Sequence, residues 1–190
     1  MLRPKRFAMV VDTRRCVGCT ACVLACMAEN DVPDGFCRDW IVSEIRGRFP
    51  DLSAEIRSER CMHCSSPPCV DVCPTGASFV ADGGTVLVDR DKCTGCKACI
   101  ASCPYDARYV HPDGFVDKCT FCFHRTSRGE LPACVSVCPT RALTFGDRND
   151  PESEVSRLLA TRAWKVLKPA AGTEPNVFFL TSDGAARRTP

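Results

Sequence analysis

Four groups of four cysteines dominate this 190-residue chain and leave little freedom in what it can become. They are Cys16, Cys19, Cys22 and Cys26; Cys61, Cys64, Cys69 and Cys73; Cys93, Cys96, Cys99 and Cys103; and Cys119, Cys122, Cys134 and Cys138. Cys37 stands outside the pattern and makes the total an odd 17. The third group, CTGCKACIASCP, has the C-x2-C-x2-C-x3-C spacing followed by proline that holds [4Fe–4S] clusters, with the last cysteine serving the neighbouring cluster. The reason is geometric. Three closely spaced thiolates on a tight loop reach three corners of one cube, whereas the fourth has entered a helical turn leading away, which proline then ends.

Two other uses of cysteine fit less well. A disulfide scaffold suits cysteine-rich short secreted chains, but the N-terminal MLRPKRFAMVVDTRRC shows no apolar signal stretch with a cleavage site. Cysteines two residues apart also close a strained disulfide loop. Zinc ribbons take their four ligands as two pairs, whereas groups one and three have three evenly spaced thiols before a fourth. Groups two and four, C-x2-C-x4-C and C-x2-C-x11-C, share the x3-C-P ending and belong to the same class. All four groups are complete, so four [4Fe–4S] clusters are expected. Exchange of fourth ligands then pairs group two with group three: Cys61, Cys64 and Cys69 with Cys103, and Cys93, Cys96 and Cys99 with Cys73. Groups one and four pair likewise: Cys16, Cys19 and Cys22 with Cys138, and Cys119, Cys122 and Cys134 with Cys26.

The flanks repeat too. β-prone lead-ins FAMVVDTRRC, TVLVDRDKC and GFVDKC precede three groups. PTGASFV, PYDARYV and PTRALTF follow three, each a proline stop, a turn and a strand. This is the half-unit of a bacterial ferredoxin, four times over. The expected fold is α+β, two ferredoxin-like units related by a pseudo-twofold. Residues 61–103 form one, around an ADGG hairpin. Residues 1–60 and 104–148 form the other, discontinuous in sequence, with an insertion at 27–60 around a strand at DWIVSEI. Residues 149–190 add a helix of about four turns, from Asp150 as N-cap and Pro151 through ESEVSRLLATRAWKVL, then an extended GTEPNVFFL as a docking tail and a frayed SDGAARRTP. Met27 replaces the proline after group one, so that helix is expected to continue through AENDV.

No apolar run approaches the length needed to span a bilayer. The formal charge of +2 counts cysteine as neutral; sixteen thiolates on four [4Fe–4S]2+ cores turn it into about −6. No nucleic-acid partner is therefore inferred from the basic residues. No nucleophile–base pair, phosphate loop or flavin fingerprint is present, so no catalytic site is expected. His63 is read as packing or donating to cluster sulfur rather than replacing a ligand, and His111 and His124 as peripheral. Arg15, Arg60, Lys92 and Lys118 each precede a group's first cysteine, either tuning cluster potential or as solvated loop ends. Cys37 is expected to be a small buried residue, and Trp40 and Trp164 to be packing anchors.

The order of groups, their endings, and the stretches PPCVDVCPTGAS, CPYDARYVHPDGFVDKCTFC and FGDRNDPES…GTEPNVFFL resemble the iron–sulfur subunits of membrane-associated molybdopterin oxidoreductases. Within that family the chain looks closest to polysulfide reductase beta subunits, with dimethyl sulfoxide and arsenate reductases as relatives. The resemblance implies a single-electron relay between a large molybdopterin catalytic subunit, bearing Mo or W, and an integral membrane quinone-binding subunit. It implies a peripheral place on the cytoplasmic membrane, on its outer face by co-export with the catalytic partner; a cytoplasmic complex fits the absent signal equally. The alternative is a free-standing polyferredoxin, or an electron carrier for a hydrogenase or formate-oxidising system.

Exchange of fourth ligands has a direct check: Cys103→Ser should alter the spectrum of the cluster held by group two. A response confined to the group-three cluster would refute it.

Overall fold

The computed structural model describes residues 4–181, so the expected frayed tail at 182–190 lies outside the described residues. The lead-in to group one forms β1 (Phe7–Asp12), and α1 (Ala21–Glu29) carries Cys22 and Cys26. β2 (Asp39–Arg48) and β3 (Asp51–Arg60) make a long antiparallel hairpin. α2 (Pro68–Asp71) is a single turn opening on proline, where a missing N–H costs nothing. β4 (Ser78–Ala81) and β5 (Thr85–Val88) pair across the ADGG turn as expected. α3 (Ala98–Ala101) is followed by the short hairpin of β6 (Tyr109–Val110) and β7 (Val116–Asp117). Then come α4 (Phe123–Thr126), α5 (Ala133–Ser136), β8 (Leu143–Asp147), α6 (Glu154–Thr161), β9 (Trp164–Lys165) and β10 (Val177–Leu180).

One four-stranded sheet, in the order β8-β1-β10-β9, organises the molecule. β1 runs antiparallel to β8 and parallel to β10, with Met9 opposite Phe145 and Val177. Alternation splits the central strands between two cores. Met9, Val11, Val177 and Phe179 face the cysteine loops, packed with Tyr105, Phe121 and Leu143. Ala8, Val10, Phe178 and Leu180 face the other way, covered by Val155, Leu158 and Leu159 of α6. The sheet is thus the back wall of the cysteine region. β8 against β1 brings the tail of group four to the lead-in of group one, as the β4–β5 hairpin does for groups two and three.

Three expectations need correction. The C-terminal helix starts at Ser153 rather than Asp150, whose carboxylate takes the Glu152 amide at 2.9 Å in a turn of its own. It also stops at Thr161, because Arg162 is extended and Trp164–Lys165 pair with Leu180 and Phe179. Trp164 then packs edge-on against Phe178, 5.0 Å between centroids; strand pairing and ring packing outweigh helical propensity here. β10 is fully buried beside β1, so this segment is built into the sheet rather than standing off as a tail. The helix of group one does not run through AENDV: it ends at Glu29, where the Asn30 amide side chain bonds the Cys26 carbonyl at 2.9 Å. Finally, β3 gives the anticipated DWIVSEI strand a highly charged partner. Arg57 reaches across the hairpin to Glu44 at 2.5 Å and along its own strand to Glu55 at 3.0 Å and Glu59 at 2.6 Å, so opposed charges line one face of the hairpin while Leu52, Ala54 and Ile56 alternate on the other.

Removing the iron tests how far these elements depend on the cysteine loops. Because metal binding and folding share one free energy in such domains, the apo chain should lose most of its far-ultraviolet circular dichroism. A native-like, cooperative melt of the apo form would refute that dependence.

Candidate metal centres

Each cysteine group opens with the same backbone bend. The second residue between the first two cysteines takes positive φ in all four: Gly18 at 69°, His63 at 43°, Gly95 at 66° and Phe121 at 53°. Glycine suits this conformation, and a Cβ at Gly95 would run into the Gly114 carbonyl oxygen. In groups two and four the bend is carried by bulky residues at a strain of about 1–3 kcal/mol each. Their rings stack on one another, centroids 3.6 Å apart and planes at 19°. The third cysteine is in every case the second residue of a helix: Cys22 of α1, Cys69 of α2, Cys99 of α3 and Cys134 of α5. The fourth lies four residues later, one turn on, and faces a different group.

That geometry gathers the cysteines into four sets. Cys16, Cys19 and Cys22 line one small cavity with Cys138. Cys93, Cys96 and Cys99 line another with Cys73. Between these outer sets, Cys64 has Cys61, Cys69 and Cys103 as its sulfur neighbours. Cys26 lies beside Cys119 and Cys134, and Cys122 beside Cys134. Each set combines three thiols of one group with the fourth of another. Cys119 also lies beside Cys61, so the two inner sets adjoin. Cys19 and Cys96 of the outer sets are exposed, whereas the inner sets are buried apart from half-covered Cys103.

Burial pushes the Cys64 and Cys119 thiols up to about 12 and Cys134 to about 11. Without metal these thiols hold their protons, so loading a metal must release them. Cys73 and Cys138 behave oppositely. Partial burial works to raise them, but the Ser78 and Ala142 amides, each donating at 3.3 Å, hold them below the ordinary thiol value.

The four cations beside first cysteines divide sharply. Arg15 and Lys92 are solvated, the latter paired with Asp89 at 2.9 Å. Arg60 and Lys118 are fully buried. Arg60 donates from Nη1 to Cys134 Sγ at 3.0 Å and from Nη2 to Ser58 Oγ; Ser58 Oγ lies 3.6 Å from Cys22 Sγ. Lys118 donates to the Val86 and Cys119 carbonyls. Sequence reading missed Arg108, whose Nη2 donates to Cys69 Sγ and Nη1 to Ser78 Oγ, both at 2.8 Å. A signal existed. In the tails CPTGAS, CPYDAR and CPTRAL, Arg108 fills a slot that is otherwise Ser78 or Leu143.

His63 is buried and packed on Phe121, as expected. Burial, with Lys118, Arg108 and Arg60 nearby, keeps its ring neutral. Nδ1 accepts the Val86 amide at 3.1 Å, which places the proton on Nε2. Among the described residues that Nε2–H has no acceptor, and neither does Arg60 Nε. Buried donors left over beside the inner thiols fit a group rich in sulfur acceptors, as an iron–sulfur cluster is. His111 stacks on Phe115 and His124 meets Glu29 at 2.7 Å, neither joining a cysteine set. Trp40 packs against the main core. Cys37 is exposed rather than buried, at the rim of a surface cavity with Trp40 and Tyr105, and joins no set.

Comparison with known proteins agrees with this geometry. Two family models, each described as a 4Fe-4S dicluster domain, match residues 15–78 and 52–148. The chain is 47% identical over 182 residues to a protein NrfC homolog of Haemophilus influenzae, covering 94% of this chain and 81% of the relative. It is 49% identical over 177 residues to protein NrfC of Escherichia coli, covering 91% and 79%. With the B subunit of polysulfide reductase from Wolinella succinogenes it shares 46% over 180 residues, covering 93% and 94%.

The loop of group four is pinned by a buried network that offers a stability test. Arg38 Nε donates to Asp117 Oδ2 at 2.9 Å, and Tyr109 donates to the same oxygen at 2.6 Å. Arg38→Ala leaves the Asp117 carboxylate buried without its counter-charge, which should cost about 3–5 kcal/mol and lower the Tm of the loaded protein. A Tm within a degree or two of wild type would show that the pair carries little.

Proposed function

The chain belongs to the family of iron–sulfur electron-transfer subunits of molybdopterin oxidoreductases, and we propose that it relays single electrons through four [4Fe–4S] clusters between a large molybdopterin catalytic subunit and a quinone-reactive membrane subunit. The observation that carries this reading is the assembly of sixteen cysteines into four sets of three plus one. The clusters are held, from one end to the other, by Cys16, Cys19, Cys22 and Cys138; by Cys119, Cys122, Cys134 and Cys26; by Cys61, Cys64, Cys69 and Cys103; and by Cys93, Cys96, Cys99 and Cys73. When bound, such a cluster accepts and returns one electron at a time.

The protein's own part is to hold, insulate and balance. The loops fix neighbouring sets close together, the sheet behind them excludes water from the inner pair, and Arg60, Arg108 and Lys118 offset thiolate charge. The two ferredoxin-like units, 61–103 and 1–60 with 104–148, are related by a pseudo-twofold that exchanges groups one and two with groups three and four. Matching strand pairs support this: β8–β1 answers β4–β5, and β2–β3 answers β6–β7. So does the His63–Phe121 stack, at the same position of two groups.

No helix among the described residues is long and apolar enough to cross a membrane, and the chain sits peripherally on the cytoplasmic membrane through its partners. The tip of the β2–β3 hairpin supports assembly with another subunit: Ile45 and Phe49 are 73% and 88% exposed.

Anaerobic pull-down of the tagged chain from native membranes tests the relay. A large subunit bearing molybdenum or tungsten, recovered in near-equal amount, is expected. A brown chain recovered alone from the soluble fraction would make it a free electron carrier instead.

A further inference from the structure

The two buried cysteine sets differ in the charge placed against them. Beside Cys61, Cys64, Cys69 and Cys103 lie two buried cations. Arg108 donates directly to Cys69 Sγ at 2.8 Å. Lys118, only 1% exposed, lies near Cys61 and Cys69 and near Cys119 of the other set. Neither cation has a carboxylate partner among the described residues. Arg108 donates to Cys69 and Ser78 and also lies beside Cys61 and, in the adjoining outer set, Cys99, while Lys118 donates to the Val86 and Cys119 carbonyls. The other buried set, Cys26, Cys119, Cys122 and Cys134, receives one guanidinium directly on sulfur, from Arg60 to Cys134 Sγ at 3.0 Å; a second buried one, Arg38, lies near Cys26 and Cys119 but is paired with Asp117 at 2.9 Å. Arg60 shares its charge with Asp39, 3.6 Å away and equally buried.

We propose that Arg108, with Lys118 behind it, makes the cluster held by Cys61, Cys64, Cys69 and Cys103 the higher-potential one of the two buried centres, so that an electron crossing the relay rests there. This rests on the four-cluster reading given above. A cluster becomes more negative on reduction. A cation hydrogen-bonded to its ligating sulfur favours that state, most strongly where water is excluded and the dielectric is low. Burial alone disfavours reduction at both inner centres, and the difference in unpaired positive charge separates them. The electron gained there is lost by a neighbouring centre and passes on to the next, so the exchange balances within the relay. Arg60 and Lys118 hold equivalent slots, immediately before the first cysteines of groups two and four. Arg108 and Asp39, which stand beside them, are what break the symmetry.

The experiment is an anaerobic potentiometric titration of the purified complex followed by electron paramagnetic resonance, with iron counted per chain. Cys103→Ser marks the signal of the group-two cluster. In wild type that signal should be reduced before its buried neighbour. In Arg108→Gln its midpoint should fall furthest, reversing the order of the two buried centres, with a smaller fall at the adjoining cluster of Cys99 and none at the buried neighbour; Arg108→Lys should fall less and Arg15→Gln, at an exposed site, should change nothing. Unchanged midpoints in iron-replete Arg108→Gln, or a larger shift in a signal that Cys103→Ser does not mark, would overturn the proposal. If Arg108→Gln does not load the cluster, Lys118→Met decides: the same midpoint falls, or the proposal is wrong. Wild type with iron for fewer than four clusters would instead overturn the four-cluster reading.

Discussion

Sixteen clustered cysteines in 190 residues carry sulfur into the interior, nine of them buried, and the contact of buried arginine with thiol sulfur is the fold's answer. Arg60 on Cys134 and Arg108 on Cys69 are each donors through a second nitrogen to a serine, Ser58 or Ser78. Those serines in turn touch Cys22 and Cys73 of the outer sets. One guanidinium therefore ties an inner set to the outer set of its own unit. Isolated buried ions are too costly to persist; here each guanidinium donates to one thiol sulfur, Cys134 or Cys69, and to one serine.

The rest of the architecture serves to bring these groups together. Residues 4–181 close on themselves because β10 inserts between β1 and β9, and one strand face supplies the wall for the cysteine loops while α6 seals the other. The long β2–β3 hairpin ends in Arg60 and Cys61, so a surface arm and a buried ligand belong to one element. Arg38, Asp117 and Tyr109 then bind the base of that arm to the loop of group four. Strain at His63 and Phe121 accompanies the burial and stacking of their rings, 0% and 1% exposed.

Much of this was legible in the order of residues. The lead-ins and tails of the cysteine groups became β1, β4, β5, β6, β7 and β8, because short β-branched runs between prolines and turns have few alternatives. What local pattern hid was decided by partners far away. Trp164 and Lys165 continue an amphipathic helical period, yet become a strand because Leu180 and Phe179 lie alongside. DLSAEIRSER carries only two large apolar side chains, Leu52 and Ile56, yet pairs along its whole length with β2, where Arg57 reaches Glu44 of the facing strand. Arg15, Arg60, Lys92 and Lys118 look alike in sequence, each a cation before a cysteine, and only two of them are buried.

Spacing by itself determined the chemistry: C-x2-C followed by a third thiol and an x3-C ending sets the reach of each loop, and a reach of that kind suits an iron–sulfur cube and sends the last ligand elsewhere. Tertiary structure alone decided which charges stand beside which thiols. Burial and dielectric depend on neighbours brought in by strand pairing, and Arg108, Lys118 and Asp39 acquire their influence only where chain folding has removed water from around them.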